Sequence, residues 1–200
     1  MISTDQDTAR LREHTAAERE RLTALLTGLT PDQWAAPSLC EGWQIREVVA
    51  HMTMAFRTST WQFLRGMAAA RFTFDRYADR AAHADTARMS DAELLAALRD
   101  NVRHPWRPPG GGAAGALSHD VIHGLDITEP LNLPPASVDR MATVLGHAGP
   151  RNFAYFGVDL SGIRLCANDS EVELGTGTPI TLSTKDILLI VTGRRPVPTP

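Results

Sequence analysis

Seven histidines are present in the 200 residues, and three of them stand where they could do chemistry. His119 and His123 are four apart in a stretch, 113–129, that reads as a helix closed by Pro130. At that spacing two side chains lie about 40° apart on one face, with Cβ atoms about 5–6 Å from one another, so both imidazoles can reach one metal ion. Two neutral nitrogens hold zinc weakly, and a catalytic site normally has three protein ligands and one open position. His51 is the candidate for the third, because it lies beside Val48 and Ala55 on the flank of the apolar stripe of another helix. An ordinary reading stands next to this one. Ala114, Leu117, Val121 and Leu125 form one apolar stripe of the 113–129 helix, and Ala116, His119, His123 and Ile127 form another nearly opposite. The histidines therefore either meet the second helix or face water.

Other groups could assist. Asp126, near the helix end, could accept the outer N–H of an imidazole and so orient it. Glu47, one helical turn before His51, could face the same site as a base. Asp120 should project about 100° away from its neighbour His119 and not share its metal. Cys40 reads as a small packing residue, having no base next to it in sequence, and Trp43 as a plug at the entrance of the second helix.

The elements that must position these groups are mostly helical. Leu11, Leu22, Leu25, Leu26 and Leu29 recur at helical spacing through 4–29. Thr30-Pro31-Asp32-Gln33 carries the signature of a capped turn. Ile45, Val48, Val49, Met52 and Phe56 predict a second helix over 43–66, and Ser90-Asp91-Ala92-Glu93 starts a third, ended by Pro105. Residues 71–88 read as a loop or marginal helix. The glycines and prolines of 105–112 form an irregular connection without the Gly-Lys-Ser/Thr ending of a phosphate loop. Beyond residue 133 the pattern changes. Residues 137–156 suggest one further helix, and 162–167, 171–174 and 179–182 suggest a small meander. Residues 185–192 suggest a short helix or a buried strand. The expected division is 1–133 for a helical domain carrying the site and 134–200 for a small α/β appendage, which makes the chain mainly α with a small α+β appendage.

Composition narrows the function. With 20 Lys+Arg against 23 Asp+Glu, a formal charge of −3, the chain lacks the basic field that drives binding to phosphate backbones, so no nucleic-acid partner is expected. No apolar run approaches the roughly 18–20 residues that span a bilayer, so no membrane partner is expected either. Residues 1–10 are polar rather than signal-like, and the expected location is the cytoplasm. The 2 cysteines are too few for a disulfide framework.

Trp34-Ala-Ala-Pro-Ser-Leu-Cys-Glu-Gly-Trp43-Gln-Ile-Arg46-Glu47-Val-Val-Ala-His51 resembles the amino-terminal signature of the mycothiol-dependent maleylpyruvate isomerase family, part of the DinB-like superfamily of metal-binding helical bundles. His119-Asp-Val-Ile-His123-Gly-Leu-Asp126 resembles the family's second signature. The ending Leu188-Leu-Ile-Val-Thr-Gly-Arg194-Arg195 is similar to its carboxyl-terminal segment. The resemblance implies a four-helix bundle followed by a short β-meander and terminal helix, with a divalent ion, usually zinc, held by His51, His119 and His123. It also implies mycothiol as a thiol cosubstrate and Arg194 as the contact for an acidic substrate, where a guanidinium offers bidentate geometry. Where the thiol-dependent branch tends to carry Glu, this chain has His119, which leaves a bound ion more positive by one unit and puts maleylpyruvate itself in question as substrate. The function expected is a thiol-dependent transferase or isomerase acting on a small electrophilic, acidic molecule. The alternatives are a metal-dependent hydrolase and a non-catalytic small-molecule-binding module on the same bundle. Either a monomer or a homodimer is compatible with the pattern.

Overall fold

Ten helices and two strands occur among residues 4–199, the part of the chain that the computed structural model describes. The chain divides into two compact units, Met1–Leu133 and Pro134–Pro200.

In the first unit, α1 (Thr4–Thr27) packs along α7 (Gly112–Thr128) and against α6 (Asp91–Arg99). At the centre lies α3 (Ile45–Arg57), which contacts α5 (Phe74–Thr86), α6 and α7. Every residue of α3 from Glu47 to Met54 is buried, so this helix is enclosed on all sides rather than on one stripe. Leu22, Leu26, Val48, Val49, Met52, Leu94, Leu98 and Ile127 share one core cluster with Trp34 from the short α2 (Pro31–Trp34). Thr30 and Gln33 cap α2 reciprocally, as their spacing predicts.

Two expectations for this unit need correction. The helix expected over 43–66 is two helices, α3 and α4 (Thr60–Ala69). Ser59 takes the N-cap of α4, accepting from the Gln62 amide at 3.3 Å while Gln62 Oε1 accepts from the Ser59 amide at 2.8 Å. That capping box ends the apolar periodicity as a single helix. The second correction is 71–88, which holds a full helix, α5. Its buried face is Tyr77, Ala78, Ala82 and Asp85, one large aromatic among small and charged groups, which gives little hydrophobic periodicity. Asp85 can be buried there because Arg57 pairs with it at 2.8 Å and Arg88 adds a second, shorter contact.

In the second unit the single helix expected over 137–156 is α8 (Val138–Gly146) and α9 (Pro150–Tyr155), parted by the turn that precedes Pro150. Instead of a three-run meander there are two strands, β1 (Ser161–Ala167) and β2 (Glu173–Leu182), paired in parallel. The two later runs fuse into one strand because Gly175 and Gly177 adopt φ of +83° and +127°. A Cβ on Gly177 would sit 2.2 Å from the Gly162 carbonyl oxygen, so only glycine lets β2 cross β1 so closely. Residues 185–192 resolve as a helix, α10 (Thr184–Val191), which packs on α8 and β1. No helix among the described residues is long and apolar enough to cross a membrane.

Candidate metal centre

The side chains of His51, His119 and His123 converge within Met1–Leu133. Each offers a ring nitrogen, and the three lie within 4.8 Å of one another. The Nε2 atoms of His51 and His119 are 3.3 Å apart, and the His123 ring stands 4.8 Å by centroid from both the others. The buried position of α3 carries His51, only 7 % exposed, into the space beside α7. The second stripe of α7 therefore faces α3, which decides between the two readings open in the sequence.

Two carboxylates fix the rings. His119 Nδ1 is 2.8 Å from Asp120 Oδ1, and His123 Nδ1 is 2.9 Å from Asp126 Oδ2. A carboxylate only accepts, so each Nδ1 carries the proton and each Nε2 keeps its lone pair for a ligand. Asp120 is thus an orienting group, which the angular argument from sequence missed because it considered only ligation. Asp120 is buried beside Arg19, whose Nε donates to Oδ2 at 2.6 Å. Burial pushes the Asp120 carboxyl up, but the His119 hydrogen bond and the charges of His119 and Arg19 outweigh it and hold the group below the usual carboxylate range.

His51 differs from its partners. Its Nδ1 is buried with no hydrogen-bond partner among the described residues. Burial, then the neighbouring His123 and His119, push its pKa well below the usual histidine range, against a smaller opposing effect of Asp126. One buried imidazole driven toward the neutral form, beside two whose Nδ1 atoms face carboxylates, is a donor set that suits zinc.

Asp126 also anchors the loop of the first signature. Its Oδ2 accepts from the Cys40 thiol at 3.1 Å and its backbone carbonyl accepts from the Leu39 amide at 3.2 Å. Cys40 Sγ lies 3.9 Å from His123 Nδ1, and Cys40, His123 and Asp126 form a second convergent group. Cys40 is therefore more than packing, a role that no local pattern signals because Asp126 is far along the chain. Trp43 lies 5.2 Å from the His51 ring and donates through Nε1 to Asp79 at 3.0 Å. With Phe74 near His51 and Trp106 5.1 Å from His119, it makes an aromatic surround for the histidines.

Glu47 does not serve as expected. One oxygen accepts from the Gln44 amide at 3.0 Å, capping α3, and the other accepts from Thr86 Oγ1 at 2.7 Å, tying α5 to α3. Its place on the first turn of α3 directs it to the helix end, and it is not among the groups that converge on the histidines. Arg194 lies in the other unit. There its Nη1 donates to the Thr192 carbonyl at 2.8 Å and its guanidinium sits over Phe156 at 5.4 Å.

Comparison with known proteins gives the family of the chain. The model of the mycothiol maleylpyruvate isomerase N-terminal domain matches residues 15–118, which include His51 and end one residue before His119. Two uncharacterized proteins of Mycobacterium tuberculosis, from strains CDC 1551 / Oshkosh and ATCC 25618 / H37Rv, are each 28 % identical over 163 residues, covering 70 % of this chain and 63 % of the relative. The chain thus spans less than two thirds of those relatives' length. No solved structure matches significantly. With over half its length matched, the chain belongs to the mycothiol maleylpyruvate isomerase N-terminal domain family, a family of mycothiol-associated enzyme domains.

Proposed function

We propose that His51, His119 and His123 hold one divalent metal ion, zinc by its preference for neutral imidazole, and that the chain is a thiol-dependent transferase or isomerase with mycothiol as cosubstrate. The observation that carries this reading is the approach of three ring nitrogens to within 4.8 Å of one another. The chemistry such an ion supplies is ionisation of a thiol, whose unperturbed pKa of about 8.5 leaves it only a few per cent thiolate at neutral pH. The chain's own residues do the rest. Asp120 and Asp126 hold two imidazoles in the tautomer that ligates. Trp43, Phe74 and Trp106 limit water around the rings, which strengthens every charge interaction inside. The four helices α1, α3, α6 and α7 form the DinB-like bundle that keeps these groups rigid.

The hydrolytic alternative is weakened by Glu47, since both of its oxygens are committed to Gln44 and Thr86. The purified chain should contain about one zinc per chain, and it should consume a small electrophilic acid such as maleylpyruvate only when mycothiol is added. Turnover without thiol would favour hydrolysis, and binding without turnover would favour a binding module. A chain that refuses zinc would end the metal reading. Asp126→Asn should weaken metal affinity by about 10–100-fold while the fold is kept.

A further inference from the structure

A cleft of about 260 Å³ opens in Met1–Leu133 between α1, the segment after α6 and the first turn of α7. Arg12, Arg19, Arg103 and Arg107 line it, against a single acidic side chain, Glu13. Glu13 is paired with Arg103 at 3.0 Å, whereas Arg12 and Arg107 have no ion pair among the described residues. The cleft therefore carries a net positive charge.

Arg19 is the unusual member. It is 1 % exposed, and a guanidinium that deep needs every donor answered. Nε goes to Asp120 at 2.6 Å, and Nη1 goes to the carbonyls of Asn101, Val102 and His104 at 3.4, 3.3 and 2.9 Å. Nη2 is buried with no hydrogen-bond partner among the described residues, and the guanidinium lies over the Phe56 ring at 4.9 Å. Asp120 balances the Arg19 charge, so Nη2 lacks only a hydrogen-bond acceptor, and Arg12 and Arg107 on the same cleft, unpaired among the described residues, favour one that is anionic.

We propose that this cleft is a binding site for a small organic carboxylate, received by Arg19 Nη2 and drawn in by Arg12 and Arg107. Trp106 is the wall it shares with the histidines: the indole lines the cleft and its ring stands 5.1 Å from that of His119. The two places are also joined by charge, because Asp120 receives Arg19 on one oxygen and His119 on the other. A short acid seated on Arg19 would extend along Trp106 toward His119. The inference deepens the reading above by naming an anchor for the acid in this unit, but the cleft binds through guanidinium groups and stands without any metal.

The test is calorimetric titration of the full chain with succinate, with uncharged succinamide and with inorganic phosphate. Succinate should bind, succinamide should not, and the affinity should fall as salt rises. The paired surface substitution Arg12→Gln with Arg107→Gln should weaken succinate by about tenfold, and Arg19→Lys should weaken it further. Chelator-treated protein and His123→Ala should bind succinate unchanged, which separates this site from the metal reading. Succinamide binding as tightly as succinate would overturn the proposal. So would phosphate binding where succinate does not, an unaffected Arg12/Arg107 variant, or loss of succinate binding on chelation. If Arg19→Lys does not fold, the surface pair decides alone.

Discussion

Asp120 has two partners that pull on opposite ends of one carboxylate, and its removal should be felt twice. Asp120→Ala would leave Arg19 buried with its Nε unanswered, a loss of about 3–5 kcal/mol by analogy with broken buried pairs. It would also free the His119 ring to turn, which should weaken zinc binding. Asp120→Asn keeps the shape but can no longer neutralise Arg19, so it should fall between the two. Urea unfolding of the zinc-free proteins checks the first effect and zinc titration the second. Equal stability of Asp120→Ala and the parent would show that Arg19 finds another partner. This pair was invisible at the residue scale in the sequence: Arg19 and Asp120 are 101 positions apart, and the type of each reads as an ordinary surface charge.

At the scale of elements, the approach of α1 to α7 depends on Gly124, the glycine of the second signature. A Cβ there would meet Glu18 Oε1 at 2.9 Å, Arg21 Nη2 at 3.3 Å and Leu22 Cδ2 at 3.4 Å. Glu18 is completely buried and bound to Arg21 at 2.5 Å, so it has little room to give way. Gly124→Ala gains about 1 kcal/mol of helix propensity but forces overpacking that typically costs about 1–3 kcal/mol. The net expectation is a loss of up to about 2 kcal/mol, seen as a fall in Tm of a few degrees. A higher Tm would mean that the two helices part freely. Helix boundaries follow the same logic. The capped α2 and α6 were legible because their caps are local, while α5 was not, because its buried face is two alanines, a paired aspartate and a single tyrosine.

For the whole molecule, two histidines that resist protonation, the buried His51 and the half-buried His104, set how folding responds to acid. The His51 pKa is lowered by burial first and by its two histidine neighbours next, and that of His104 by burial and by Arg19. In each case the unfolded chain takes up the proton at higher pH than the folded one, so stability is fully present above the unfolded value of about 6.5 and declines as pH falls through it. The zinc-free protein should therefore unfold at lower urea at about pH 5.5 than at about pH 7.5. All 4 tryptophans, Trp34, Trp43, Trp61 and Trp106, lie in Met1–Leu133, so their fluorescence reports on the unit that holds both histidines. A midpoint that does not move across that range would contradict the lowered pKa of these two rings.

The sequence by itself determined the helical character, the pairing of His119 with His123 on one face, and the family, since periodicity, caps and contiguous signatures are local properties of a chain. It could not determine which stripe of α7 faces α3, that Glu47 would be spent on a helix cap, or that Cys40, Asp120 and Arg19 would gather around the histidines. Those outcomes depend on which surfaces become buried together. Burial is what makes an unpaired charge costly, and so it selects partners that distance along the chain conceals.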